Sequence, residues 1–170
     1  MWLVGMMGAG KTAVGRALAE RLACPFVDTD AEVVARSGRS IAEIFEQDGQ
    51  GAFRALERSV IEAIAGEHLV AGLGGGAIAE PGAAEVLAES GTVIYLRARE
   101  ETLLDRLGEC RDRPLLAGLR PAERAARLAD LLKARSAAYQ TADIVVDTDE
   151  ISVDEVVTAL VREFALDGSE

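Results

Sequence analysis

The chain has 170 residues, 49% of them apolar, and carries 18 Lys plus Arg against 29 Asp plus Glu, a formal net charge of -11. That length and apolar fraction fit one globular domain, residues 1–170, with a full core. The acidic balance excludes a broad nucleic-acid footprint, so any bound anion must be met by locally placed arginines and backbone amides.

The first apolar run, "MWLVGMMGAG", has no basic residue before it and is too short to cross a bilayer. A protein that is neither secreted nor membrane-bound is expected. Cys24, Cys110 and the single histidine, His68, make no zinc pattern and fit reduced thiols in the cytoplasm.

Taken along the chain, short apolar runs alternate with longer helical patterns, which predicts an α/β fold with a parallel sheet flanked by helices. The first strand is expected at Trp2 to Val4. Directly after it, "GMMGAGKT" (Gly5 to Thr12) satisfies G-x-x-x-x-G-K-[ST] in full, between a predicted strand and a predicted helix marked by Val14, Leu18 and Leu22. Glycines in such a loop let successive amides turn inward around phosphate oxygens, and the helix start adds partial positive charge. Lys11 would reach the terminal phosphates, and Thr12 would offer its hydroxyl to magnesium.

A second strand, Phe26 to Asp28, runs into "DTD". Alternate residues of an extended segment project to one side, so Asp28 and Asp30 can both face one cleft. The plainer reading makes Asp30 the N-cap of the next helix. If the chain is a kinase, Asp30 can accept a hydrogen bond from an acceptor hydroxyl and orient it in line with the terminal phosphate. Magnesium also calls for a carboxylate at a neighbouring strand end, for which Asp28 and Asp147 are both candidates.

Ser40 with Glu43 signs a helix start. In the next helix Glu57 falls inside the apolar stripe of Phe53, Leu56, Val60 and Ile64, with Arg54 three residues away at its edge. The pair is either a plain helix-face ion pair or a carboxylate that steadies Arg54 for gripping an anionic group on the acceptor. A third strand, Leu69 to Gly72, leads to Gly74, Gly75 and Gly76, where the backbone can approach a ligand closely; a simple turn is the alternative.

A fourth strand is expected at Thr92 to Leu96. Arg106 ends the following helix and can stack on an adenine ring. The segment Gly108 to Pro121, "GECRDRPLLAGLRP", lacks a period and reads as a lid loop whose Arg113 can swing onto the transferring phosphate. Arg135 can join Arg54 on the acceptor's anion. For each of these arginines taken alone, a solvated surface position is the competing reading. A last strand, Asp143 to Val146, precedes a helix start signed by Ser152 with Glu155, and "LDGSE" reads as a loose tail.

In this order the residues resemble the shikimate kinase family, through "GMMGAGKT", "DTD", "GRSIAEIF", "FRALE", "GGG", "RPLL" and "RSAAYQTAD" over nearly the whole chain. The resemblance implies a P-loop kinase of the nucleoside monophosphate kinase type with a five-stranded parallel sheet, an acceptor-binding region at about residues 30–60 and a mobile lid at about 108–121. It implies transfer of the ATP terminal phosphate to the 3-hydroxyl of shikimate, with magnesium, in the pathway to chorismate and the aromatic amino acids. By the same resemblance, Gly8, Ala9, Gly10, Lys11, Thr12, Ala13, Arg106 and Arg113 meet the nucleotide, and Thr12 and Asp28 serve the metal. Asp30, Arg54, Gly74 to Gly76 and Arg135 meet shikimate, with Lys11, Asp30 and Arg113 catalytic. Ala137 departs from the family, which commonly has proline there. ATP and shikimate are the partners expected of a monomer, with no nucleic acid or membrane. A gluconate-type kinase would share the cradle but not the "DTD", Arg54 and "GGG" combination. A regulatory nucleotide-binding module would be marked by loss of Asp30, Lys11 or the lid arginine, and all three are present.

Overall fold

The computed structural model describes residues 1–108 and 114–167. Five parallel strands form one sheet: β1 (Trp2–Val4), β2 (Phe26–Asp28), β3 (Val70–Gly72), β4 (Val93–Arg97) and β5 (Ile144–Asp147), in the order β2-β3-β1-β4-β5. Central strands of such a sheet are covered on both faces, and β1 and β3 accordingly bury every residue. Edge strand β5 alternates half-buried and exposed residues.

The strands expected at 92–96 and 143–146 each sit one residue further along, and the third begins at Val70. At the fifth, the reason is a side chain. The Asp143 amide donates to the Val93 carbonyl (2.9 Å), but the Val93 amide is taken by the Asp143 carboxylate (2.8 Å), so regular strand pairing begins one residue later, at Ile144.

Helix α1 (Lys11–Arg21) buries Val14, Gly15, Leu18 and Ala19 against the sheet. A Cβ at Gly15 would lie 2.3 Å from the Phe26 ring, so the small residue there brings α1 down onto β2. Between β2 and β3 run α2 (Thr29–Ser37), α3 (Ile41–Gln47) and α4 (Gly49–Ile64). Their apolar faces meet in a separate small core of Val33, Ile44, Phe53 and Val60. The Ser40–Glu43 and Ser152–Glu155 capping boxes are both formed.

After β3 come a 3-10 turn (Ala77–Ala79), α5 (Ala83–Ser90), β4 and α6 (Glu100–Leu107). Residues 114–118 form a turn that buries Leu116 completely, and Pro121 is the first residue of α7 (Pro121–Tyr139). That helix is continuous through Ala137 and buries Leu128, Leu131, Arg135 and Tyr139, one face at helical spacing. The chain ends in α8 (Val153–Asp167), packed on α1. No helix among the described residues is long and apolar enough to cross a membrane. Because β1 is the central strand, the loop that follows it opens at the middle of the C-terminal edge of the sheet, where ligands of doubly wound folds lie.

Candidate active site

The loop Gly5–Gly10 turns from β1 into α1. Gly8 (φ +85°) and Gly10 (φ +97°) adopt the left-handed conformation that turns the chain back on itself there, with Gly10 as the N-cap of α1. The loop is held from inside, since the Lys11 ammonium donates to the carbonyls of Gly5 (2.8 Å) and Met6 (3.1 Å). Above the loop lies a cleft of about 580 Å³, bordered by Gly8, Gly10, Lys11, Thr12, Ala13 and Arg106 on one side and Asp28 and Asp30 on the other. The N-terminal amides of α1, a lysine and an arginine thus surround a space large enough for a nucleotide.

The two aspartates reach this cleft by a different route from the one expected. The extended segment stops at Asp28, and Asp30 already belongs to the first turn of α2. Asp28, not Asp30, is the N-cap: its Oδ1 accepts from the amides of Asp30 (3.1 Å) and Ala31 (3.3 Å), because the first free amides of a helix lie two and three residues beyond the cap. Its other oxygen accepts from the Thr12 hydroxyl (2.9 Å). Capping therefore fixes the Asp28 carboxylate beside Thr12 and frees Asp30 from that duty. Thr29 between them is fully buried. Its hydroxyl accepts from the Gly74 amide (3.0 Å) and donates to the Gly72 carbonyl (3.4 Å), tying the start of α2 to the glycine run.

Next to the cleft is a smaller cavity of about 70 Å³. Its polar wall is Asp30, Arg54, Gly74 to Gly76 and Arg135; its apolar wall includes Ile41, Phe45, Phe53 and, from the 114–118 turn, Pro114 and Leu115. Met7, Asp30, Ile41 and Gly75 border both spaces, so the two adjoin along these residues. The consecutive glycines have a spatial cause. A Cβ on Gly74 would lie 2.0 Å from Glu57 Oε1 and 2.7 Å from Asp30 Oδ1, and a Cβ on Gly76 would lie 2.3 Å from Arg54 Nη2 and 3.0 Å from Arg135 Nη2. Two carboxylates and two guanidiniums are folded over bare backbone.

Glu57 is 1% exposed, and its Oε2 accepts from Arg54 Nη1 at 2.5 Å. Arg54 Nε also stands 3.2 Å from Glu80 Oε1, at the far side of the pocket wall. Burial pushes the Glu57 carboxyl up to about 7; the Arg54 guanidinium opposes this shift, and the Asp30 and Glu80 charges add to it. Between the ordinary value of 4.5 and about 7 the folded chain holds a proton that the unfolded chain has released, so this group makes stability fall as pH rises through that window. A Glu57→Gln variant should lose that slope: its Tm, relative to the unaltered protein, should rise between pH 5 and pH 8. A difference that stays flat across that range would contradict this assignment.

Arg106, at the end of α6, donates to the Thr148 hydroxyl (3.1 Å) and carbonyl (2.5 Å) and lies 3.5 Å from the Gly8 carbonyl, so it bridges the phosphate loop and the segment after β5. Asp147, the other carboxylate considered for a metal, does not border the cleft that holds Thr12. It lies on the edge strand farthest from β2, and both of its oxygens take hydrogen bonds from Arg97 (2.5 and 2.6 Å). Arg113 lies outside the described residues. Sequence reasoning passed over Thr29, Glu80 and Tyr139. Tyr139 was within reach, being four residues after Arg135 on the same helix face, whereas nothing local to Glu80 points to Arg54.

Comparison with known proteins agrees with this geometry. A sequence model of the shikimate kinase family matches residues 7–165. A shikimate kinase of Symbiobacterium thermophilum is 46% identical over 164 residues, covering 94% of this chain and 92% of that one. A shikimate kinase of Geobacter sulfurreducens is 44% identical over 159 residues, covering 93% and 86%. Among solved structures, shikimate kinase from Acinetobacter baumannii in complex with shikimate superimposes with a TM-score of 0.93 at 34% identity, covering 99% of this chain and 94% of the other. The enzyme from Aquifex aeolicus gives 0.80 at 32%, covering 98% and 96%. With the phosphate loop, the paired cavities and these matches in place, the chain belongs to the shikimate kinase family, ATP-dependent enzymes that phosphorylate shikimate.

Proposed function

We propose that this chain holds ATP in the larger cleft and shikimate in the smaller cavity, and transfers the terminal phosphoryl group to the 3-hydroxyl with Asp30 at the junction. The observation that carries this assignment of roles is that Asp30 borders both spaces. Amides of Gly8 to Ala13 cradle the phosphates, and the Lys11 ammonium turns from the Gly5 and Met6 carbonyls to the terminal phosphates. Arg106 flanks the adenine, and the guanidinium of Arg113 serves the transferring phosphate.

Thr12 and Asp28 fit a magnesium ion. The Thr12 proton is already committed to Asp28, which leaves the lone pairs of the hydroxyl oxygen for a hard cation, and Asp28 supplies the carboxylate that such a cation prefers, directly or through water. When bound, that ion would offset negative charge on the phosphates.

The acceptor's carboxylate lies against Arg54 and Arg135, whose guanidiniums both converge on Gly76, and its ring packs on Ile41, Phe45 and Phe53. Held there, the 3-hydroxyl donates its hydrogen bond to Asp30, which aims an oxygen lone pair at the terminal phosphorus. The new O–P bond forms as the bond to the ADP oxygen breaks, and the hydroxyl proton passes to the Asp30 carboxylate. The apolar wall and the 114–118 turn keep water from competing for the phosphoryl group. The enzyme works as a single-domain monomer in the cytoplasm.

The pocket assignment is tested by Arg54→Ala. Losing a charge-assisted hydrogen bond to the carboxylate should raise the KM for shikimate by about 10- to 100-fold. The KM for ATP should stay within about twofold, since Arg54 does not border the nucleotide cleft. Equal damage to both constants would overturn the assignment.

A further inference from the structure

Arg135 enters the acceptor cavity from α7, one turn before the end of that helix, and a long guanidinium there needs something to set its position. The Gly75 carbonyl takes two donors, Arg135 Nη1 at 3.1 Å and the hydroxyl of Tyr139 one helical turn further on. Tyr139 is 1% exposed, and its ring lies flat against Tyr95, centroids 4.8 Å apart and planes 14° from parallel. Burial holds the phenol up at about 12, so it stays a neutral donor at every pH where the enzyme works.

We propose that Tyr139 is a positioning residue for acceptor binding: its hydroxyl holds the Gly75 carbonyl, fixing the Gly75–Gly76 peptide and the setting of Arg135 toward the acceptor's carboxylate. Gly75 is one of the few residues that border both cavities, and a Cβ there would lie 3.4 Å from Arg135 Nη1, from the Gly5 carbonyl and from the Met7 amide alike. The Gly75 backbone therefore lies between the phosphate loop and Arg135. Without the Tyr139 hydroxyl, the carbonyl would be left to Arg135 alone, which would draw that guanidinium toward the backbone and away from the ligand. The flat stack on Tyr95 keeps the phenol from swinging out of this contact.

This inference rests on placing the acceptor's carboxylate at Arg54 and Arg135. It is tested with Tyr139→Phe, which keeps the ring and its stack and removes only the hydroxyl. Tyr95→Phe serves as a control that trims the other ring of the stack, and Arg135→Ala tests the carboxylate site itself. Tyr139→Phe should raise the KM for shikimate roughly 3- to 10-fold, while kcat and the KM for ATP change by less than about twofold and Tm by only a few degrees. Tyr95→Phe should leave the KM for shikimate unchanged, and Arg135→Ala should raise it further than Tyr139→Phe does. An unchanged KM for shikimate in Tyr139→Phe, with Arg135→Ala still damaging, overturns the role of Tyr139 alone. Parallel loss of both substrate affinities with a lowered Tm, or the same KM rise in Tyr95→Phe, reduces Tyr139 to packing and also overturns it. An unaltered KM in Arg135→Ala overturns the carboxylate site and the inference together.

Discussion

Asp30→Asn is expected to lower kcat by roughly 10²- to 10⁴-fold, equivalent to about 3–5 kcal/mol of barrier. Asparagine keeps the size and one acceptor oxygen of aspartate but not its charge. What is lost is therefore the attraction that grows as the acceptor hydroxyl gives up its proton, an interaction stronger in the transition state than in the ground state. The fold around it should survive, because Asp28 and not Asp30 caps α2 and because Thr29 ties that helix to the glycine run. The affinity for ATP, measured by direct titration, should change less than about twofold. Turnover close to that of the unaltered enzyme would remove Asp30 from the chemistry. A linked effect gives a second readout: the Asp30 charge is one of the causes that raise the Glu57 carboxyl, so the pH window of Glu57-linked stability should move downward in this variant.

Gly74→Ala should damage the acceptor site severely for the addition of one methyl group. Gly74 is absent from the positive-φ positions, so the backbone conformation itself tolerates alanine. The obstacle is space. The new methyl would sit 2.0 Å from Glu57 Oε1 and 2.7 Å from Asp30 Oδ1. Glu57 is buried and tied to Arg54, so it cannot step aside without taking Arg54 with it. Relief would displace the hydroxyl-orienting carboxylate and the carboxylate-binding guanidinium together. A misplacement of about 1 Å in such groups costs on the order of 10²-fold in kcat/KM. The loss should appear with saturating ATP and should not be accompanied by weaker nucleotide binding, since Gly74 borders the acceptor cavity and not the nucleotide cleft. An enzyme with wild-type kcat/KM for shikimate would show that the carboxylates do not need the places they occupy in this structure.

The parts of this site that depend on short stretches of chain were legible in the sequence. The phosphate loop is continuous, its glycines and lysine are local requirements, and the strand before it reads as a buried apolar run. The burial of Glu57 follows from helical spacing alone, because the turn angle puts it among Phe53, Val60 and Ile64 whatever the rest of the chain does. Errors arose where one residue had to be assigned between neighbouring geometries. The sequence lets Asp28 and Asp30 alternate along one strand, with Asp30 as the cap in the plainer version; in the structure the helix starts two residues earlier than an Asp30 cap would place it, so that Asp28 does the capping.

What stayed hidden involves partners far apart along the chain. Glu80 lies beside Arg54, and the Tyr139 hydroxyl lies on the Gly75 carbonyl, through contacts that no spacing rule encodes. The reason for three glycines in a row was likewise only half visible. Close approach of backbone to a ligand is a local inference, whereas the crowding of Glu57, Asp30, Arg54 and Arg135 over that backbone appears only once α2, α4 and α7 are packed.

The central claim is that the paired cavities serve transfer from ATP to shikimate, and magnesium-dependent ADP release tests it most directly when measured with shikimate, with gluconate and with no acceptor. Release with shikimate alone, abolished in Asp30→Asn, is the predicted result. Release with gluconate in place of shikimate, or at the same rate with no acceptor, would contradict the acceptor site described above.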